Sequence, residues 1–140
     1  MLRNLCVLFF TTFVLLALGC ASSGGQTLKI DMQDVAGRQH VPDELTDMLG
    51  DLGYEWIPIH DPNARRDVKV VQQDGEYRMR FEYVQTKQVR IDARIRMQDG
   101  FTRLHFYEPG SQTLSVPAQG LLKKLQQRVV QEFGEANVTY

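Results

Sequence analysis

The chain is 140 residues long, 43% hydrophobic and 24% charged, and its 16 basic and 17 acidic side chains leave a formal net charge of -1. That is an ordinary globular composition, and its near-neutral charge provides no electrostatic footprint for nucleic acid. Two cysteines, Cys6 and Cys20, are the whole thiol inventory.

Met1 to Asn4 carries the amino terminus and Arg3 without an acid, and Leu5 to Leu18 is an uncharged run rich in Leu, Phe and Val. Fourteen uncharged residues are too few to span a bilayer comfortably, so the pattern is the n-region and h-region of a signal peptide. Ala17-Leu18-Gly19-Cys20 closes the run and "ASSGGQ" follows it. This stretch resembles the lipobox of bacterial lipoproteins, with Ala17 where a leucine is usual. The resemblance implies cleavage before Cys20, a diacylglyceryl group on its thiol and a further acyl chain on its amine. Several chains hold a protein stably at a membrane, where a single one is marginal. Ala21, standing where an aspartate implies inner-membrane retention, implies the outer membrane.

The expected organisation is therefore a removed signal peptide over 1–19, a lipidated cysteine with a flexible tether over 20–26, and one domain over 27–140. Removing the signal peptide takes away Arg3 and Cys6, giving a formal charge of -2. With Cys20 acylated no free thiol remains, which excludes disulfides, Fe–S clusters and thiolate zinc sites.

Behind the tether, "LKIDM" (Leu28 to Met32) alternates as a strand. In "PDELTDMLGDLG", Leu45, Met48, Leu49 and Leu52 make one helical stripe, with Pro42 in the first turn and Gly53 just past the end. "YEWIPI" reads as a strand that Pro58 confines to an edge or bulge. The segment from Asp67 to Glu108 then alternates around Asp74-Gly75 and Asp99-Gly100, and predicts an antiparallel meander of four strands. Matching the inward residues sets Tyr83 opposite Val89. Glu82 then faces Arg90, Arg80 faces Asp92, Glu76 faces Arg96, and Arg78 faces Arg94. The second turn is expected to set Ile95 opposite Leu104 and Arg94 opposite His105. Ala118, Leu121, Leu122, Leu125, Val129 and Phe133 form a second helical stripe, with Lys123, Lys124, Gln127 and Arg128 left wet; Gly134 ends it, and "ANVTY" suits a short last strand. The fold class is α+β, an antiparallel meander sheet with two helices packed on one face.

The outward sheet face collects Lys69, Arg78, Arg80, Arg90, Arg94, Arg96 and Arg103 against Asp67, Glu76, Glu82 and Asp92. Two readings stand. One is a solvated face whose arginine stems cover the backbone. The other is a surface for an anionic partner, carried by Arg78, Arg80, Arg94, Arg96, Arg103 and His105, because guanidinium groups suit bidentate contacts to phosphate or carboxylate. Tyr54, Trp56 and Tyr107 are core if inward and a docking patch if outward.

His40, His60 and His105 show no ligand spacing, so no metal site is expected, although His60 and His105 brought together would be one way to make it. Serines lack a nucleophile setting and no phosphate loop occurs, so neither catalytic residues nor a cofactor are assigned. The expectation is a non-catalytic lipoprotein held at the outer membrane by its lipid, with its domain in the periplasm and an envelope protein as partner. The partner rests on analogy with tethered accessory subunits of envelope machines. The alternative is a module binding a lipid, glycan or other anionic ligand, with an apolar pocket between the Leu121 to Phe133 helix and the sheet.

Overall fold

The computed structural model describes residues 24–32 and 37–140. The leader, Cys20 and the start of the tether lie outside the described residues.

Strand β1 spans Gly25–Asp31, earlier than "LKIDM" alone suggests, because Gly25 and Gln26 are sewn to a neighbour by backbone pairing. A 3-10 turn over Gly37–His40 leads into helix α1, Val41–Asp51. Its Leu45, Met48 and Leu49 are buried with Leu52 partly so, and Gly53 follows at φ +90. Edge strand β2, Tyr54–Ile57, ends at Pro58. The missing N–H lies outside every ladder, as an edge proline requires.

The next part departs from the expected meander. Strands β3, Ile59–Asp61, and β4, Arg66–Val68, pair only with each other as a separate small hairpin. Only β5, Val71–Gln73, joins the main sheet. Asp67 and Lys69 therefore do not belong to the outward face of that sheet. The segment from Asp67 to Gln73 bends at Lys69 and Val70 instead of running as one strand.

Strands β6, Glu76–Tyr83, β7, Arg90–Arg96, and β8, Phe101–Tyr107, form the middle of the sheet, in the order β2-β6-β7-β8-β1 with β5 beside β2 on β6. Asp74 and Gly75 have φ of +52 and +74, the two left-handed positions of a type I′ turn. The β6–β7 register is as expected: Glu82 faces Arg90, Arg80 faces Asp92, Arg78 faces Arg94 and Glu76 faces Arg96. The amide of Tyr83 donates to the Val89 carbonyl at 2.9 Å.

The β7–β8 register is not as expected. Arg94 faces Arg103, Asp92 faces His105, and Ile95 faces Thr102. The connection is a four-residue loop, Met97 to Gly100, closed by the Gly100 amide donating to the Arg96 carbonyl at 3.0 Å. Asp99-Gly100 ends this loop; it does not form a two-residue turn.

Helix α2, Val116–Phe133, is N-capped by Ser115, whose hydroxyl accepts from the Ala118 amide at 3.3 Å. Gly134 at φ +88 ends it, and β9, Val138–Thr139, pairs with β1 at Lys29 and Ile30. Ala118, Leu122, Leu125 and Val129 pack with α1 and with Leu28, Ile30, Met79, Phe81, Ile91, Ala93, Ile95, Leu104 and Phe106 in one buried cluster. Each large apolar side chain fully removed from water contributes about 1.5–3 kcal/mol, against about 0–1 kcal/mol for a surface ion pair. The helix–sheet interface thus holds the fold, and the charged face is free to serve something else. Arg128 departs from its expected wet position: it bridges the helices, 3.3 Å from Asp51 of α1 and 3.6 Å from Glu132.

Candidate functional site

Alternation and pairing arrange the outward face in cross-strand rows. One row reads Thr27, His105, Asp92, Arg80 across β1, β8, β7 and β6. The next reads Lys29, Arg103, Arg94, Arg78, four cations directly opposite one another on adjacent strands. Strands lie about 4.8 Å apart, and like charges directly opposite are destabilising.

Acids relieve some of these cations and not others. Arg80 binds Asp92 through two hydrogen bonds, of 2.6 and 3.1 Å, and this pairing raises its pKa. Arg90 donates to Glu82 at 3.0 Å. Glu76, which faces Arg96, takes Arg78 at 2.7 Å, while Arg96 turns to Asp99 at 2.9 Å. Lys29 pairs with Asp31 at 3.0 Å. Arg94 and Arg103, the two inner members of the cationic row, have no acidic partner among the described residues. Arg103 rests on the Phe101 ring, 4.8 Å from its centroid, and both guanidinium-bearing residues are exposed.

These two arginines border a concavity of about 210 Å³ lined by Thr27, Asp92, Arg94, Arg103 and His105. Thr27 Oγ1 and His105 Nδ1 are 3.0 Å apart, and the imidazole stacks on Tyr107 with centroids 5.3 Å apart. A side chain at Gly25 would collide with this ring, since a Cβ there would lie 2.7 Å from Cε1 and 2.9 Å from Nε2. Glycine at position 25 lets the histidine lie across β1. Tyr107 donates from its hydroxyl to Asp92 at 3.3 Å, and burial first, with Asp92 second, pushes its pKa up.

Of the six residues expected to form an anionic-partner surface, the structure brings Arg94, Arg103 and His105 to the concavity. Arg78, Arg80 and Arg96 lie on the same face, each engaged by a carboxylate. Thr27 and Lys29 were not anticipated, since only the pairing of the first strand with β8 brings them there, and neither was Phe101, which alternates with Arg103 and His105 along β8 itself. Tyr54 is core, and Trp56 on the same face is 43% exposed at the sheet edge with Lys69 over its ring at 5.5 Å. Tyr107 is on the outward side. His60 pairs with Asp67 at 3.2 Å and His105 with Thr27, so the two histidines have separate partners. Among the described residues, no three of His, Cys, Asp and Glu form a metal-ligating group, and no helix is long and apolar enough to cross a membrane.

Comparison with protein-family models, with curated proteins and with solved structures found no match in any of the three.

Proposed function

We propose that this protein is a non-catalytic envelope lipoprotein, acylated at Cys20 and held at the outer membrane, whose outward sheet face recognises an anionic envelope component from the periplasmic side. The observation that supports recognition is the unrelieved pair Arg94 and Arg103 in a row of four cations. A solvated face has no reason to oppose two unpaired guanidinium groups when acids relieve their neighbours. The reading of Cys20 as an anchor is supported by the lipobox-like sequence before it.

The concavity favours the binding-module reading over the protein-partner reading. It lies on the sheet face away from α2, whose inward side chains Leu122, Leu125 and Val129 are packed into the core. A ligand groove between that helix and the sheet is not part of this proposal.

Two measurements test it. In a fatty-acid labelling and fractionation experiment, the native chain carries label and partitions with the outer membrane, whereas Cys20→Ser accumulates as unlabelled precursor. Normal mature protein from that variant overturns the lipoprotein assignment. A photo-crosslinking residue at position 94 is expected to capture envelope components that the same residue at position 123, on the exposed side of α2, does not. Identical products from both positions overturn the recognition face.

A further inference from the structure

The concavity beside Arg94 and Arg103 has the charge, size and donors of a site for one particular anion. Its acid is already spent: Asp92 is neutralised by Arg80 and accepts from Tyr107. What faces the opening is therefore the pair of unpaired guanidinium groups with His105. His105 Nδ1 meets the Thr27 hydroxyl at 3.0 Å, and Nε2 has no hydrogen-bond partner among the described residues. With the hydroxyl as donor, one of the two directions this pair allows, the ring hydrogen sits on Nε2.

A carboxylate would underuse this arrangement. One arginine satisfies a carboxylate's two oxygens, as Arg80 does for Asp92 on this same face. Two guanidinium forks and an imidazole N–H offer more donors than two oxygens accept, and they match the three or four oxygens of a tetrahedral phosphate. The volume, about 210 Å³, is below the roughly 300–1,000 Å³ of pockets that enclose drug-sized ligands, so it suits a headgroup and not a whole lipid. Position also counts. Thr27 is seven residues from Cys20, a reach of at most about 25 Å when extended, so a lipid-anchored chain keeps the concavity near the headgroup layer.

We infer that Arg94, Arg103 and His105 form a binding site for a phosphate group, presented either by a membrane phospholipid headgroup or by a soluble phosphate. This rests on the reading of the outward face as a recognition surface and adds its chemistry.

The test uses the full chain in neutral detergent micelles, titrated calorimetrically with inorganic phosphate against chloride at fixed ionic strength. A second arm titrates short-chain phosphatidic acid in the same micelles. Saturable single-site binding is expected in at least one arm, weakened tenfold or more by Arg94→Gln and by Arg103→Gln. Arg78→Gln, whose native arginine is held by Glu76, is expected to change affinity less than twofold. Thermal melts of all three variants are expected to coincide with the native chain, which separates lost binding from lost fold. Phosphatidic acid binding tenfold tighter than phosphate assigns the lipid source, and equal affinity assigns the soluble one. No saturable binding in either arm, or an equal loss in Arg78→Gln, overturns the site. If cross-links from position 94 persist in that event, the recognition face stands and only the phosphate assignment falls.

Discussion

The phenol of Tyr54 is buried at the β2 edge against Tyr83, and its oxygen has no hydrogen-bond partner among the described residues. Burial, with Tyr83 beside it, raises its pKa well above the ordinary value of 10.0. The sign of the linkage follows: below about pH 10 the phenol is neutral in both states and its effect on stability is constant. Above that the unfolded chain releases the proton and the folded one does not, so stability falls with rising pH by up to about 1.4 kcal/mol per unit. Tyr54→Phe is therefore expected to match or exceed the native stability at pH 7, since an unpaired buried hydroxyl costs about 1–3 kcal/mol, and to flatten the alkaline fall. Urea unfolding at pH 7 and pH 10.5 checks both; a variant clearly weaker at pH 7 contradicts the unpaired oxygen. Period-two alternation put Tyr54 and Trp56 on one face without deciding between core and docking patch, and the structure splits them: Tyr54 is buried and Trp56 exposed. Alternation names the face of a strand, whereas exposure at an edge depends on what lies beyond it.

At the scale of elements, the β7–β8 connection shows why one register was legible and its neighbour was not. A shift of two residues leaves every inward side chain inward, so alternation cannot distinguish Arg94 opposite His105 from Arg94 opposite Arg103. Between β6 and β7 matching the inward residues picked the right register, and three opposite-sign pairs agree with it. Between β7 and β8 the expectation rested on Asp99-Gly100 as a two-residue turn, which would set Arg96 opposite Arg103; the four-residue loop instead sets Arg94 opposite Arg103. The four-residue loop there is held by Arg38, whose Nε donates to the Met32 carbonyl at 3.0 Å and Nη1 to the Met97 carbonyl at 3.1 Å. One guanidinium thus ties the end of β1 to the β7–β8 loop. Arg38→Ala is expected to lower stability by about 1.5–3 kcal/mol, and Arg38→Lys to recover only part, because an ammonium cannot span both carbonyls as a planar fork. Denaturant melts of the two variants measure this, and equal stability of Arg38→Ala and the native chain removes the staple.

Over the whole molecule, two amphipathic helices and a two-faced sheet divide the labour, with the apolar sides sealed together and the charged side left open. This layering was legible because helical stripes and strand alternation are properties of continuous segments. The candidate site was only partly legible: it joins β1 to β7 and β8, and no local pattern announces that the first strand comes to lie between the last two. Neither cysteine lies among the described residues, so no disulfide contributes to the fold described. Reductant is accordingly expected to leave the melting temperature unchanged, and a drop of more than a few degrees on thiol treatment contradicts it.

The placement of β1 has a kinetic consequence. Its ladder partners are β8 and β9, strands that begin at Phe101 and Val138, so the sheet cannot close around its first strand until nearly the whole chain is on hand. Contacts this distant in sequence form late, after the loop-closure entropy between them has been overcome. A chain crossing a membrane from its amino terminus would therefore arrive with β6 and β7 already able to zip locally while Gly25 to Asp31 hangs unpaired. During that interval the backbone donors and acceptors of Gly25 to Asp31 stay open to other partners, until the last strands lock the first in place.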